Sequence, residues 1–151
     1  MVPMGITSCS QKIFDAFLDE EIAKGFFHAH TYSANPIACA CAIAGMELLT
    51  SEAIQNDIAR ISMRHREFKQ AIVDHPKVAS VRHMGVILAV DIKLEMARYG
   101  DMRNRIFNYC MDQGVFLRPL GNTLYTLPPF ITNDEQLAHI YSTIEGSISL
   151  I

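Results

Sequence analysis

Arg118 is the residue here whose surroundings most demand a chemical explanation. It sits in "VFLRPLGNTLYTLPPFIT", with apolar neighbours on both sides, just before a glycine turn and a short tyrosine-bearing segment. A guanidinium buried alone is very costly, so Arg118 requires an anionic partner or a place at the rim of a site. Two readings follow. One is a salt bridge to a helix carboxylate. The other is a clamp for a ligand carboxylate, whose two oxygens match the parallel donors of a guanidinium. Arg82, just before Met84-Gly85, reads as a surface or sheet-edge arginine, or as a second site cation. His28 and His30 lie two apart in a loop with no other expected metal ligand, and read as polar loop residues near a ligand or interface rather than a metal pair. The sequence has no glycine-rich phosphate loop, no His-x-x-x-His pair, and no serine or cysteine in an evident nucleophile setting.

The elements that must carry these residues are legible from pattern. Val2 to Thr7 reads as a strand, and Ser8 or Ser10 as the cap of a helix over Gln11 to Leu18. Asn35 caps a helix that takes Pro36 in its first turn. From Ile37 to Val73 one long, possibly broken helix is predicted. Its first half is small and apolar all round and is expected to be buried; its second half is amphipathic. "VASVRHMGVILAVDIKL" predicts two strands around Met84-Gly85, the second apolar on both faces and central. A helix over "DMRNRIFNYCMDQG" ends at Gly114. "VFLRP" and "NTLYTLPP" read as two more strands joined at Gly121-Asn122, and a last helix starts at Thr132 or Asn133. Strands joined by short turns give an α+β class: a small, largely antiparallel sheet with helices on one face, preceded by the long linking helix.

Composition bounds the function. The chain has 151 residues, half of them hydrophobic and 19% charged, which is globular rather than disordered composition. A net charge of -3 without a basic cluster argues against nucleic acid as partner. The longest apolar run, "IACACAIAGM", is too short to span a bilayer, so the protein is read as soluble and cytoplasmic, with no membrane partner. Cys9, Cys39, Cys41 and Cys110 match neither a zinc site nor a disulfide framework and are expected to be reduced; Cys39 and Cys41 read as small core residues.

Three stretches carry a resemblance. "FFHAHTYSANPIACACAIAGMELL" is similar to the segment that follows the active-site lysine in class III pyridoxal-phosphate aminotransferases, a fold-type I family. There a histidine and a small residue lead into Thr-x-x-x-Asn-Pro and a small-residue helix. "VPMGITSCSQKIFDAF" resembles the piece just before it. "GVFLRPLGNTLYTLPPFITNDEQL" resembles, within that class, the biotin-pathway branch, through Arg-Pro-x-Gly-x-x-x-Tyr-x-x-Pro-Pro. The resemblance covers essentially the whole chain.

What it implies is specific. The cofactor is pyridoxal 5'-phosphate. The reaction moves the amino group of S-adenosylmethionine to 7-keto-8-aminopelargonate. Thr31 reaches the cofactor phosphate of the neighbouring subunit in a homodimer, and His30 adds a backbone contact there. Ala29 stands where the family usually has glycine, at a close approach of substrate to backbone. Arg118 binds the keto acid's carboxylate, Tyr125 lines the same pocket, and Leu120 supplies apolar contact. The family's Schiff-base lysine lies before the Val2-Pro3-Met4 stretch, and none of Lys12, Lys24, Lys69, Lys77 and Lys93 sits in its context. The chain is therefore expected to be a C-terminal fragment, with no catalytic residue or metal site of its own and no activity alone. Residues 1–35 would be a remnant of the cofactor-binding domain, and 36–151 the linking helix and C-terminal small domain. Two alternatives stay open: another class III ω-aminotransferase of the acetylornithine type, or a non-catalytic α+β binding or oligomerisation module.

Overall fold

The computed structural model describes residues 4–95 and 100–151. The chain forms two compact units, Met1–Thr50 and Ser51–Ile151. The division expected from the resemblance fell earlier, at 35/36.

In the first unit, residues 4–10 have no regular structure and are exposed. The strand expected over Val2 to Thr7 is thus absent from its described part, Met4 onward; Val2 and Pro3 lie outside the described residues. Helix α1 (Gln11–Asp15) is shorter than expected, and the backbone carbonyl of Ser10, rather than its side chain, accepts from Phe14 N–H. A 3-10 turn follows at Ile22–Lys24. Helix α2 (Pro36–Thr50) begins as anticipated: Asn35 Oδ1 accepts from the N–H groups of Ile37 and Ala38 at 3.0 and 3.1 Å. The burial expected of its first half is not found. Ala38 is the buried residue of α2, while Ile37, Ile43 and Met46 are exposed, as is Cys41, and Cys39 is half-buried. All four cysteines are free.

The second unit opens with helix α3 (Glu52–Ile72), so the long helix is two helices, and Ser51 caps the second by accepting from Ile54 N–H. The hairpin β1 (Val78–Met84) and β2 (Ile87–Ile92) turns at Gly85, whose φ of 55° is a conformation that favours glycine. Helix α4 (Asp101–Asp112) ends ahead of Gly114, φ 75°. Strand β3 (Thr123–Thr126) completes an antiparallel sheet in the order β1-β2-β3. The central place of β2 is as predicted, but only one of its faces is buried: Leu88, Val90 and Ile92 are fully covered while Ile87 is exposed. "VFLRP" is not a strand. Residues 115–119 carry no regular structure, and Leu120 makes a single bridge to Thr123 around Gly121. Pro119 has no N–H to give a ladder.

Helix α5 (Asp134–Ser149) starts in a capping box, with Asn133 and Gln136 each accepting the other's backbone N–H. The core joins Ile61, Phe68 and Ile72 of α3, the inner face of the sheet, Ile106 of α4, and Leu137, Ile144 and Ile148 of α5. No single helix among the described residues is long and apolar enough to cross a membrane.

Inside this core lies a polar pair. His65 is fully buried, with Nδ1 2.7 Å from Tyr141 Oη and Nε2 3.0 Å from the carbonyl oxygen of Val86. A carbonyl only accepts, so Nε2 carries the proton and Nδ1 accepts from the tyrosine. Burial lowers the pKa of His65, against the Val86 carbonyl and together with His83. Burial also pushes Tyr141 up to about 12 and Cys110 up to about 11.

Candidate functional site

The second unit holds a cavity of about 780 Å³. Its walls come from three places: the irregular segment that leaves α4 after Gly114, the end of β3 with Pro128 and Pro129, and the first turns of α5. Gly114 and Gly121 turn the chain at either end of the first wall.

Arg118 and Tyr125 both line this cavity. Arg118 is exposed, so the burial that its apolar neighbours suggested is not found; it stands at a rim instead. Among the described residues it makes neither an ion pair nor a side-chain hydrogen bond. The guanidinium therefore keeps its full set of donors for an incoming anion. Tyr125 is 38% exposed and has Ala89 as its cross-strand partner, so nothing bulky from β2 competes for its place. Leu120 is exposed and lies off the cavity wall. Phe116, Leu127 and Pro128 supply apolar surface between the polar groups.

The far wall was not anticipated. Glu135 and His139 sit one turn apart on α5 and both line the cavity. His139 Nε2 lies 2.8 Å from the carbonyl oxygen of Gln113, so it donates there. The wall is anchored from α3. Arg60 donates to Thr132 O and to Asp134 Oδ1, each at 2.7 Å, and to Asp57 Oδ1 at 3.1 Å. Hydrogen bonds to Asp134 and then Asp57 raise its pKa.

Arg82 serves the sheet. It donates to Asp91 at 3.0 Å, and Asp91 also accepts from Ser80 and Thr123. Burial pushes the Asp91 carboxyl up, but these three donors outweigh it and hold the pKa low.

In the first unit, Ala29, His30 and Thr31 occupy an exposed loop before α2. A turn over residues 31–34 closes with Ala34 at φ 57°. His30 N–H donates to Ser33 Oγ at 3.0 Å, and the His30 carbonyl accepts from Ser33 N–H. The backbone of His30 is thus engaged locally and serves an external anion only by giving up that bond. The hydroxyl of Thr31 finds no partner among the described residues. Residues 25–36 contain no carboxylate, so the chemistry of the loop suits a phosphate, with Thr31 as donor. His28 and His30 meet edge to face, ring centroids 5.0 Å apart, and no group of three metal-ligating side chains occurs among the described residues.

Comparison with known proteins gives the family. Residues 2–148 match aminotransferase class-III, and the chain belongs to that family. It is 37% identical over 145 residues to the adenosylmethionine-8-amino-7-oxononanoate aminotransferase of Synechococcus elongatus, covering 95% of this chain and 34% of that protein. The protein of the same name from Methanocaldococcus jannaschii superposes with a TM-score of 0.81 at 20% identity, over 93% of this chain and 34% of that one. A PMP-bound form of an aminotransferase from Vibrio fluvialis superposes with a TM-score of 0.74 at 26% identity, over 84% of this chain and 29% of that one. The chain spans about a third of the length of the curated relatives it matches.

Proposed function

We propose that this chain is the C-terminal part of a pyridoxal-phosphate aminotransferase that moves the amino group of S-adenosylmethionine to 7-keto-8-aminopelargonate, the biotin-pathway transamination. Residues 1–35 then belong to the cofactor-binding domain and 36–151 to the linking helix and small domain. The observation that carries the reading is Arg118: a guanidinium without a partner among the described residues, on one cavity with Tyr125, inside the family's matching segment. Several relatives bear the name of this enzyme, which supports the choice of substrates.

Pyridoxal phosphate, when bound, supplies the electron sink. The residues of this chain bind and orient. Arg118 takes the remote carboxylate of the keto acid through two parallel hydrogen bonds. The Tyr125 hydroxyl meets a polar substrate group, while Phe116 and Leu127 exclude water from the aliphatic chain. Thr31 donates its hydroxyl to the cofactor phosphate across a homodimer interface, with His30 beside it, and Ala29 borders the substrate. In this reading the enzyme is cytoplasmic.

The test is an assay of the complete enzyme with S-adenosylmethionine as donor and 7-keto-8-aminopelargonate as acceptor. An ω-amino acid donor with pyruvate runs in parallel. Turnover confined to the second pair would reject the proposed substrates while leaving the family intact.

A further inference from the structure

We infer that Arg60 is a positioning residue for the keto acid: from α3 its guanidinium fixes the segment between β3 and α5 that forms one wall of the Arg118 cavity. The inference rests on the reading of that cavity as the place of the keto acid, and adds a residue that is not among those lining it.

The segment 127–133 has little of its own to hold it. Pro128 and Pro129 have no N–H to give. A turn bond from Thr132 N–H to Pro129 O closes it at 3.0 Å. Leu127 and Ile131 are 59% and 84% exposed, so their side chains do not anchor it. Its buried residues are Pro128 and Thr132, and both line the cavity.

Arg60 supplies the tie. Nη2 donates to Thr132 O at 2.7 Å, and Nη1 donates to Asp134 Oδ1 at 2.7 Å. One rigid fork thus brackets Asn133, the cap of α5. The fork is itself held by Asp57, three residues earlier on α3, at 3.1 Å, and Ile61 beside it is fully buried, so Arg60 stands on a fixed element. Arg64 does not duplicate this. Its Nε lies 3.8 Å from Asp134, beyond hydrogen-bond distance, and its Nη1 is given to Glu67 at 2.7 Å. A shift of Thr132 carries Pro129 with it through the turn bond, and so changes the width of the cavity that Arg118 also lines. Such a change weakens the fit of the ground state and the transition state alike, which raises KM rather than lowering kcat.

The experiment is kinetics of each half-reaction and of steady-state turnover in the complete enzyme, for Arg60→Gln, Arg60→Lys and Arg118→Ala. Hydrogen exchange at the Thr132 amide and a melting curve accompany each variant. Arg60→Gln should raise the KM for 7-keto-8-aminopelargonate about tenfold, the factor one charge-assisted hydrogen bond supports, and leave kcat and the S-adenosylmethionine half-reaction within about twofold. The Thr132 amide should exchange faster while those of Leu88 and Val90 keep their rates. Arg60→Lys should recover part of the KM, since one nitrogen cannot fill two positions. A lowered Tm with unchanged KM would make Arg60 a structural residue only and overturn the inference, as would equal losses in the two half-reactions. Unaltered keto-acid kinetics in Arg118→Ala would overturn the reading of the cavity, and the inference with it.

Discussion

Replacing Arg118 with alanine in the complete enzyme separates the site from the scaffold. The structure supplies both magnitudes. Arg118 is exposed and bonds to no other described residue, so its loss leaves no orphaned group in the fold. A surface substitution of this kind changes stability by no more than about 0.5 kcal/mol. A hydrogen-bonded contact to a ligand carboxylate is worth about 1.5–3 kcal/mol, which is roughly a 10- to 150-fold loss of kcat/KM. The assay is single-turnover kinetics of each half-reaction, with a thermal melt alongside. The keto-acid half should fall by that factor and the S-adenosylmethionine half by much less, since the bond at stake goes to the carboxylate remote from the reacting carbon. Arg118→Lys should recover part of the loss, because a point charge lacks the fork. Equal losses in both halves together with a lowered Tm would make Arg118 a structural residue and refute the site.

Three further outcomes are expected. The folded-state pKa of His65 lies below its ordinary value of about 6.5, so the unfolded chain binds the extra proton first. Stability is therefore full above pH 6.5 and declines as the pH falls below it; His65→Phe should flatten that slope in urea titrations, and an unchanged slope would clear His65 of the role. At Gly146 an added Cβ would collide with the Tyr109 hydroxyl and lie 2.8 Å from its Cζ. Overpacking costs about 1–3 kcal/mol and alanine's helix propensity returns up to about 1, so Gly146→Ala should lower stability by on the order of 1 kcal/mol; a higher Tm would contradict this. The chain alone, given cofactor and both substrates, should show no transamination, because none of its lysines stands in the family's Schiff-base context; turnover above background would dispose of that expectation.

What the sequence disclosed depended on whether the signal was local. The β1–β2 hairpin was readable because Met84-Gly85 offers a turn between two runs rich in β-branched and apolar residues. Helix α5 was readable from a cap at Thr132 or Asn133 followed by acidic residues in the first turn, and the structure settles the cap on Asn133. "VFLRP" misled because its apolar and aromatic content has strand character, while Pro119 and Gly121 fix a turn instead. The division at Ser51 was hidden by an apolar pattern that runs through it. The composition of α2 records a demand for apolar neighbours, yet Ile37, Ile43 and Met46 stand exposed. In the site, Arg118 was conspicuous by its neighbours. Glu135 was not, since an acidic residue in the first turn of a helix is already accounted for by the helix dipole. Its place on the same cavity as Arg118 is a tertiary fact.

Asp91 has a consequence for how this sheet can change. Its carboxylate, on the central strand, collects donors from Ser80 and Arg82 on one side and Thr123 on the other. A slip of β2 by one residue would turn that charge toward the helices, into the core beside Val81 and Leu124, and move Leu88, Val90 and Ile92 to the opposite face, at a cost of several kcal/mol. The register is thus guarded by a penalty on every wrong alignment as well as by a preference for the right one. Substitution at this position is correspondingly tied to its partners. Asp91→Ala alone leaves Ser80, Thr123 and Arg82 without their acceptor, whereas exchanging all the hydrogen-bonding partners for apolar residues of similar shape can be nearly neutral.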